Sequence, residues 1–413
     1  MATFLINCSN LKVGGGLQVA DSVCRQLERF NEHVFVVVLS SKLEKTKQLL
    51  SGKTNVVVYT HDICNNIRTV LMGRDSFLDA LTEQYRIDAV LTLFGPSRWI
   101  PRKAHLCGFA RAQIVVKNPM PQTRKSVRRK VLYATWRWGF QRSSRYFWTE
   151  NPYISKLLYQ RLAIRGMRVW TITNYYHQIF DEPANWSRNI TLPKFDGITL
   201  LTVTGDYPHK NLPIMEDICK ELERKYPNFH FRFVVTLDRE QCSFVNDSNE
   251  HHFALIGKVD ISECPNLYEQ ADIMFMPTLL ECFTATYPEA MRMEVPIVTT
   301  DLEFAHGLCG DAACYYSATD ASSAAEAIYR VATDKSYSAQ LVHNGNEQLK
   351  KFDNYQQRAE KLISILENIT VSKIPIEMGG VNHSASMKKG GWPHENHTPE
   401  ETDFGAYTDI SFR

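Results

Sequence analysis

Residues 271–301 read ADIMFMPTLLECFTATYPEAMRMEVPIVTTD, and the fold of the whole chain follows from how this stretch is parsed. Its opening apolar run, Ala271 to Met276, predicts a fully buried parallel strand. A loop follows, then an apolar helix beginning near Tyr287, then a second buried strand from Val295 to Thr300. Ligands of such strand–loop–helix–strand units sit beyond the carboxyl ends of the strands. Glu281 and Glu289 bracket the loop with seven residues between them, so that both carboxylates can face one bound molecule from opposite ends. The backbone N–H groups of Phe283, Thr284, Ala285 and Thr286 lie between, at a helix start, where an anion is favoured. The same residues also fit a capping box, in which Glu289 only satisfies the Thr286 backbone N–H. Capping leaves Glu281 unexplained, because a carboxylate directly after a buried apolar run is costly without a partner.

Outward from this unit, the 413 residues suit two domains better than one core. With 44% hydrophobic and 22% charged residues the composition is that of a globular enzyme, and a formal net charge of +2 gives no general argument for nucleic acid. Ten cysteines occur singly, without a C-x2-C pair, which predicts reduced buried thiols rather than a disulfide framework or a zinc site. The start, Met1 to Ile6, enters a strand at once and does not read as a signal peptide, and no apolar run is long enough to span a membrane.

At the beginning of the chain, strand Thr3–Cys8 leads into Ser9 to Gly16 and a helix with Leu17, Ala20, Val23, Leu27 and Phe30 on one face. Gly15 and Gly16 let backbone approach a ligand closely, although a G-x-G-x-x-G fingerprint is lacking. Further strands are expected at Val34–Leu39, Val56–Tyr59, Ala89–Phe94, Ile114–Val116, Tyr146–Trp148 and Val169–Thr173. Alternation of such runs with helices means a parallel sheet covered on both faces. Between Arg124 and Arg145 basic and aromatic residues alternate, as in a segment that touches anionic lipid headgroups; a solvated helix with one buried aromatic face fits them as well. A second sheet starts at Ile198 and runs into Gly205 to Leu212, where Lys210 stands ready to neutralise a diphosphate as a point charge. The expected organisation is an N-terminal Rossmann-like domain (1–181), a linker (182–197), a second Rossmann-like domain (198–353), a helix crossing back to the first domain (354–370) and a flexible tail (371–413).

The pair Glu281-x7-Glu289, preceded by a strand ending in Pro277 and followed by Ala290-Met291 and Val295 to Val298, resembles the signature of glycosyltransferase family 4 (glycosyl transferases group 1), in its bacterial polysaccharide form. The resemblance covers most of residues 1–369. It implies an α/β protein of the GT-B fold, two doubly wound domains facing each other across a cleft. It also implies a hexosyltransferase-like enzyme that retains the configuration of the transferred sugar and uses neither metal nor other cofactor; Asp-x-Asp is absent from the sequence. By resemblance, Glu281 sits at the donor sugar and Glu289 at the ribose. Lys210 and the Phe283–Thr286 loop hold the phosphates, and Gly15 and Gly16 face the donor diphosphate and the acceptor. Glu281 and Lys210 are the expected catalytic residues. Partners implied are a UDP-, GDP- or ADP-sugar and a glycan or lipid-linked acceptor, in the cytoplasm or on the inner membrane face, with no nucleic acid. Departures are Cys282 and Thr284 where glycines are usual, and Asp206 where an arginine is usual, with Lys258 a substitute charge. His61 and His105 are candidates for a histidine near the sugar but sit in no matching motif. A nucleotide-sugar epimerase of the same shape and a non-catalytic carbohydrate- or nucleotide-binding protein are the alternatives. An oxidoreductase is disfavoured by Ser40 and Ser41 where an acid is needed.

Overall fold

The computed structural model describes residues 1–64, 67–117 and 127–371. Two parallel sheets organise it. The first contains β1 (Thr3–Cys8), β2 (Val34–Leu39), β3 (Val56–Thr60), β4 (Ala89–Thr92), β5 (Ala104–Gly108), β6 (Tyr146–Thr149) and β7 (Arg168–Thr171), in the order β3-β2-β1-β4-β5-β6-β7. The second contains β8 (Ile198–Thr202), β9 (Phe231–Val235), β10 (Phe253–Leu255), β11 (Ile273–Met276), β12 (Ile297–Thr300) and β13 (Ala313–Tyr316), in the order β10-β9-β8-β11-β12-β13. Central strands are apolar on both faces because helices cover both; β11 pairs Met274 with Ile297 of β12, and all four of its residues are buried. Each sheet reverses its winding once, between β1 and β4 and between β8 and β11. Those reversals are where loops splay apart and leave room for a ligand.

One expectation about the first sheet needs correcting. The apolar run Ile114–Val116 is not a strand: Ala112–Ile114 form a single 3-10 turn that covers the sheet. The strand in that place is β5, whose polar His105 obscured it. His105 is buried, and its two ring nitrogens meet Thr92 Oγ1 at 2.8 Å and the Ser143 carbonyl at 2.7 Å. The β5 strand lies so close to its neighbour that a Cβ at Gly108 would overlap the Leu93 carbonyl. All ten cysteines are free thiols, and all but Cys64 are buried. Among the described residues no helix is long and apolar enough to cross a membrane.

The last helix, Tyr355–Val371, packs on β4, β5 and the helix Gly15–Arg25. Leu362, Ile363, Ile365, Leu366 and Ile369 are buried in the same core as Phe4, Ile6 and Leu91. At ~1.5–3 kcal/mol per buried aliphatic side chain, this face contributes roughly 10 kcal/mol before entropy is counted. The two chain crossings between the sheets run side by side. Thr173 N donates to Asp353 Oδ2 at 2.9 Å, and Asp353 N donates to Thr173 Oγ1 at 2.6 Å. The tail beyond Val371 and the basic stretch from Arg124 to Ser126 lie outside the described residues.

Candidate active site

A cleft of about 1060 Å³ opens between the two sheets. Its walls come from the four loops that leave the reversal strands: Asn10 to Gly16 after β1, Phe94 to Arg98 after β4, Tyr207 to His209 after β8, and Leu280 to Ala285 after β11. Gly15 and Gly16 open the helix Gly15–Arg25 on one wall; Gly14, which precedes them, has φ 78, a left-handed conformation that a side chain would strain. The Tyr207 hydroxyl approaches from the other wall, 3.7 Å from where a Gly14 Cβ would stand.

Glu281 is one of two acids that face this space, and it is held rigidly. Its Oε1 accepts from Lys210 Nζ at 2.6 Å and from Thr278 Oγ1 at 2.9 Å, and His209 Nε2 lies 4.0 Å away. Lys210 and Glu281 are each 9% exposed, a depth at which either charge alone would be costly. Leu279 N donates to the His209 carbonyl at 2.7 Å, with Thr278 Oγ1 3.2 Å from the same oxygen, which stitches the loop after β8 to the loop after β11. On either side of Glu281, Leu280 and Cys282 are buried in a cluster of the first domain with Phe109, Ala112 and Phe140. The carboxylate is therefore fixed from both domains at once.

The expectation that both glutamates face the cleft is corrected. Glu289 is 3% exposed and does not line it; its Oε2 accepts from the Tyr268 hydroxyl at 3.1 Å. Burial raises this carboxyl to about 7, with the Tyr268 hydrogen bond pulling the other way. Nor is it part of a capping box: the residue preceding helix Thr286–Arg292 is Ala285, and no side chain caps that end. Phe283 and Ala285 line the cleft, whereas Thr284 and Thr286 are buried behind it and share a hydrogen bond of 2.9 Å between hydroxyls. Lys210 is not at a helix start either. It closes the 3-10 turn Pro208–Lys210 and reaches Glu281 from behind the cleft wall, while Lys258 is exposed and does not line the cleft.

Residues 198–334 match the family model described as Glycosyl transferases group 1. No curated protein matches the chain. Among solved structures it is similar to a glycosyltransferase from Rickettsia africae, with 13% identity and a TM-score of 0.64 over 90% of this chain and 99% of that one. It is similar also to sucrose-phosphate synthase from Thermosynechococcus elongatus, with 13% identity and a TM-score of 0.65 over 90% and 100%. Anabaena Alr3699/HepE, solved with UDP and glucose, gives 14% identity and a TM-score of 0.60 over 89% and 99%. The fold is GT-B.

The GT-B cleft also contains groups that the sequence did not single out. Glu150, directly after β6, is 4% exposed, and its Oε1 has no hydrogen-bond partner. Burial raises it to about 7, opposed by Arg358 and a hydrogen bond from Asn174. Arg358 comes from the last helix and is buried beside it; the guanidinium donates to Ser22 Oγ at 2.6 Å and to Asn174 Oδ1. Burial pulls Arg358 down to about 10, against the attraction of Glu150 and Asp353. Two histidines line the GT-B cleft, His177 and His209, and burial chiefly keeps the latter below its ordinary range. Neither His105 nor His61 reaches it, His61 being stacked on Phe77 and bonded to Asp75 at 3.0 Å. A metal-capable group among the described residues, Glu223 with His251 and His252, does not line the cleft.

Proposed function

We propose that the chain is a glycosyltransferase that moves a sugar from a nucleotide-sugar donor to a glycan or lipid-linked acceptor. The observation that carries this reading is Glu281: a carboxylate set in the cleft at the β8/β11 reversal, with Oε1 engaged by Lys210 and Thr278 and no hydrogen bond on Oε2 among the described residues. A fixed oxygen of that kind orients sugar hydroxyls without having to reorganise. The donor would lie on the second domain with its ribose toward the Glu289 helix and its phosphates toward the Phe283–Thr286 backbone. The acceptor would enter past Gly15 and Gly16. In the reaction the bond from the anomeric carbon to the diphosphate oxygen breaks, the acceptor hydroxyl forms the new bond on the same face, and its proton passes to the departing phosphate. Retention is the stereochemistry that the family resemblance implies. Lys210 acts through Glu281, as a positioning residue. No step in this scheme requires a metal.

The helix Val127–Ser143 adds a reason to favour a lipid-linked acceptor in polysaccharide synthesis. It exposes Val127, Val131, Leu132 and Trp138 alongside several arginines, and Leu132 and Trp138 also line the cleft. Such a surface suits peripheral contact with anionic lipid at the mouth of the site.

The test is a thermal-shift panel of UDP, GDP, ADP and their glucose conjugates on the wild type and on Glu281→Gln, followed by release of nucleoside diphosphate with and without acceptor glycans. Stabilisation by one base and acceptor-dependent release are expected. Release of an epimerised sugar nucleotide without acceptor would replace the reading by an epimerase. Binding without turnover would leave a carbohydrate-binding protein.

A further inference from the structure

The cleft lining contains six lysine or arginine side chains and two carboxylates, Glu150 and Glu281. Four of the cations are accounted for: Lys12 is exposed to solvent and Arg129 is engaged. Arg358 is bonded to Ser22 and Asn174, and Arg142 donates to the Val70 carbonyl at 3.1 Å while lying over Trp138. Two are not. Arg98, on the loop after β4, and Arg111, following β5, are half-buried cleft residues that pair with no carboxylate and donate no side-chain hydrogen bond among the described residues. Arg111 is steadied by the Trp136 ring, with its Cζ 4.4 Å from the centroid. It lies within electrostatic reach of Arg98, which repels it, and of Cys282, next to Glu281. Burial disfavours the charged form of both. Two like charges left half-desolvated without a counter-ion are a cost that an incoming anion removes.

The facing wall offers no such charge. Lys210 is engaged by Glu281, and the remaining ionised group of its loop is the acid Asp206. A phosphate lying by the Glu281 loop would therefore meet its nearest unengaged cations on the opposite domain.

We propose that Arg98 and Arg111 form an anion subsite for a phosphate group of the substrates, so that the first domain supplies the positive charge. This rests on the transferase reading for its place in a reaction, but the anion site itself does not depend on it. Two guanidinium forks suit the paired oxygens of a phosphate better than a point charge does. The phosphate belongs either to the donor diphosphate or to a phosphorylated acceptor.

Calorimetric titration of the intact chain tests this with four probes: pyrophosphate, UDP, uridine and glycerol 3-phosphate. The variants are Arg98→Gln, Arg111→Gln and the double substitution, each first checked for an unchanged melting temperature. If one variant fails to fold, the other single substitution carries the test. The wild type is expected to bind pyrophosphate, and each substitution to weaken it about tenfold or more, as for loss of a hydrogen bond to a charged group. Weakened UDP with unchanged uridine assigns the subsite to the donor. Weakened glycerol 3-phosphate with unchanged UDP assigns it to the acceptor. Absence of pyrophosphate binding by the wild type, or equal binding by wild type and folded variants, overturns the proposal. Sugar transfer is read separately. A wild type that binds pyrophosphate through these arginines but transfers no sugar refutes the transferase and keeps the subsite, whereas variants that transfer and bind like the wild type refute the subsite alone.

Discussion

Replacing Lys210 by Met should destabilise the protein by ~3–5 kcal/mol, because it leaves Glu281 buried with Thr278 as its remaining donor. The magnitude follows from depth: the two side chains are 11% and 10% exposed, so water cannot take the place of the ammonium at 2.6 Å. Glu281→Gln should cost a similar amount by stranding the lysine. In Lys210→Met/Glu281→Gln both charges are gone, the carboxamide oxygen still accepts from Thr278, and the loss should shrink to about 1 kcal/mol. The cycle therefore predicts a coupling of at least about 5 kcal/mol. Urea unfolding followed by far-UV circular dichroism and tryptophan fluorescence measures it, with the slope checked for constancy across the four proteins. Additive costs, with coupling below about 0.5 kcal/mol, would refute the buried pair. The same four proteins separate stability from chemistry: the double variant should be folded and yet fail to turn over a sugar nucleotide.

Stability should also depend on pH in a definite direction. A glutamate ionises near its ordinary value of 4.5 in the unfolded chain, whereas buried Glu150 and Glu289 keep their protons to about 7. The folded state binds more protons in that window, so stability is full below about 4.5 and falls as pH rises through 7, by up to about 3 kcal/mol per group. Glu289→Gln should flatten its share of that slope in urea midpoints between pH 5 and 8, and an unchanged slope would count against the assignment. Gly15→Ala should leave the melting temperature nearly unchanged, because its Cβ meets nothing within 4 Å, yet weaken ligand binding at the cleft; Gly108→Ala should yield little folded protein. Vesicles containing phosphatidylglycerol should co-sediment the chain in low salt while phosphatidylcholine vesicles should not, and Trp138→Asp should release it.

What was legible in the sequence was what periodicity writes locally. The runs at β2 and β11 are continuous apolar segments, and β1 and β12 depart from that only at Thr3, Asn7, Thr299 and Thr300, as befits strands buried on both faces. β5 escaped because His105 interrupts its apolar run, and the partners that make that histidine acceptable, Thr92 and Ser143, are distant in the chain. The site was half legible. The Glu281 motif pointed to the right loop, but Lys210 meets that acid across 71 residues, and burial turns what looks like a free cation into a tethered one. Glu289 shows the converse: its spacing suggested a capping residue or a ligand contact, and the structure excludes the cap while giving its carboxyl a buried hydrogen bond from the Tyr268 hydroxyl. Arg98 and Arg111 carry no motif. Their significance is that no carboxylate pairs with them among the described residues, which is a property of three-dimensional neighbourhood alone.

The last helix has a consequence for how the protein is made. The first sheet is complete in the nascent chain by Thr171, but part of the core that covers it arrives with Leu362 to Ile369. Thr173 and Asp353, which bond to each other, are 180 residues apart. At ~5–20 residues per second, the ribosome needs about ten to forty seconds to deliver the second partner after the first. Over that interval the domain synthesised first presents an uncovered apolar strip along β4 and β5, while the domain synthesised second can already close around its own core. The order of completion is thus the reverse of the order of synthesis. A chaperone acting on this chain would find its substrate at the N-terminal half, long after that half has left the exit tunnel.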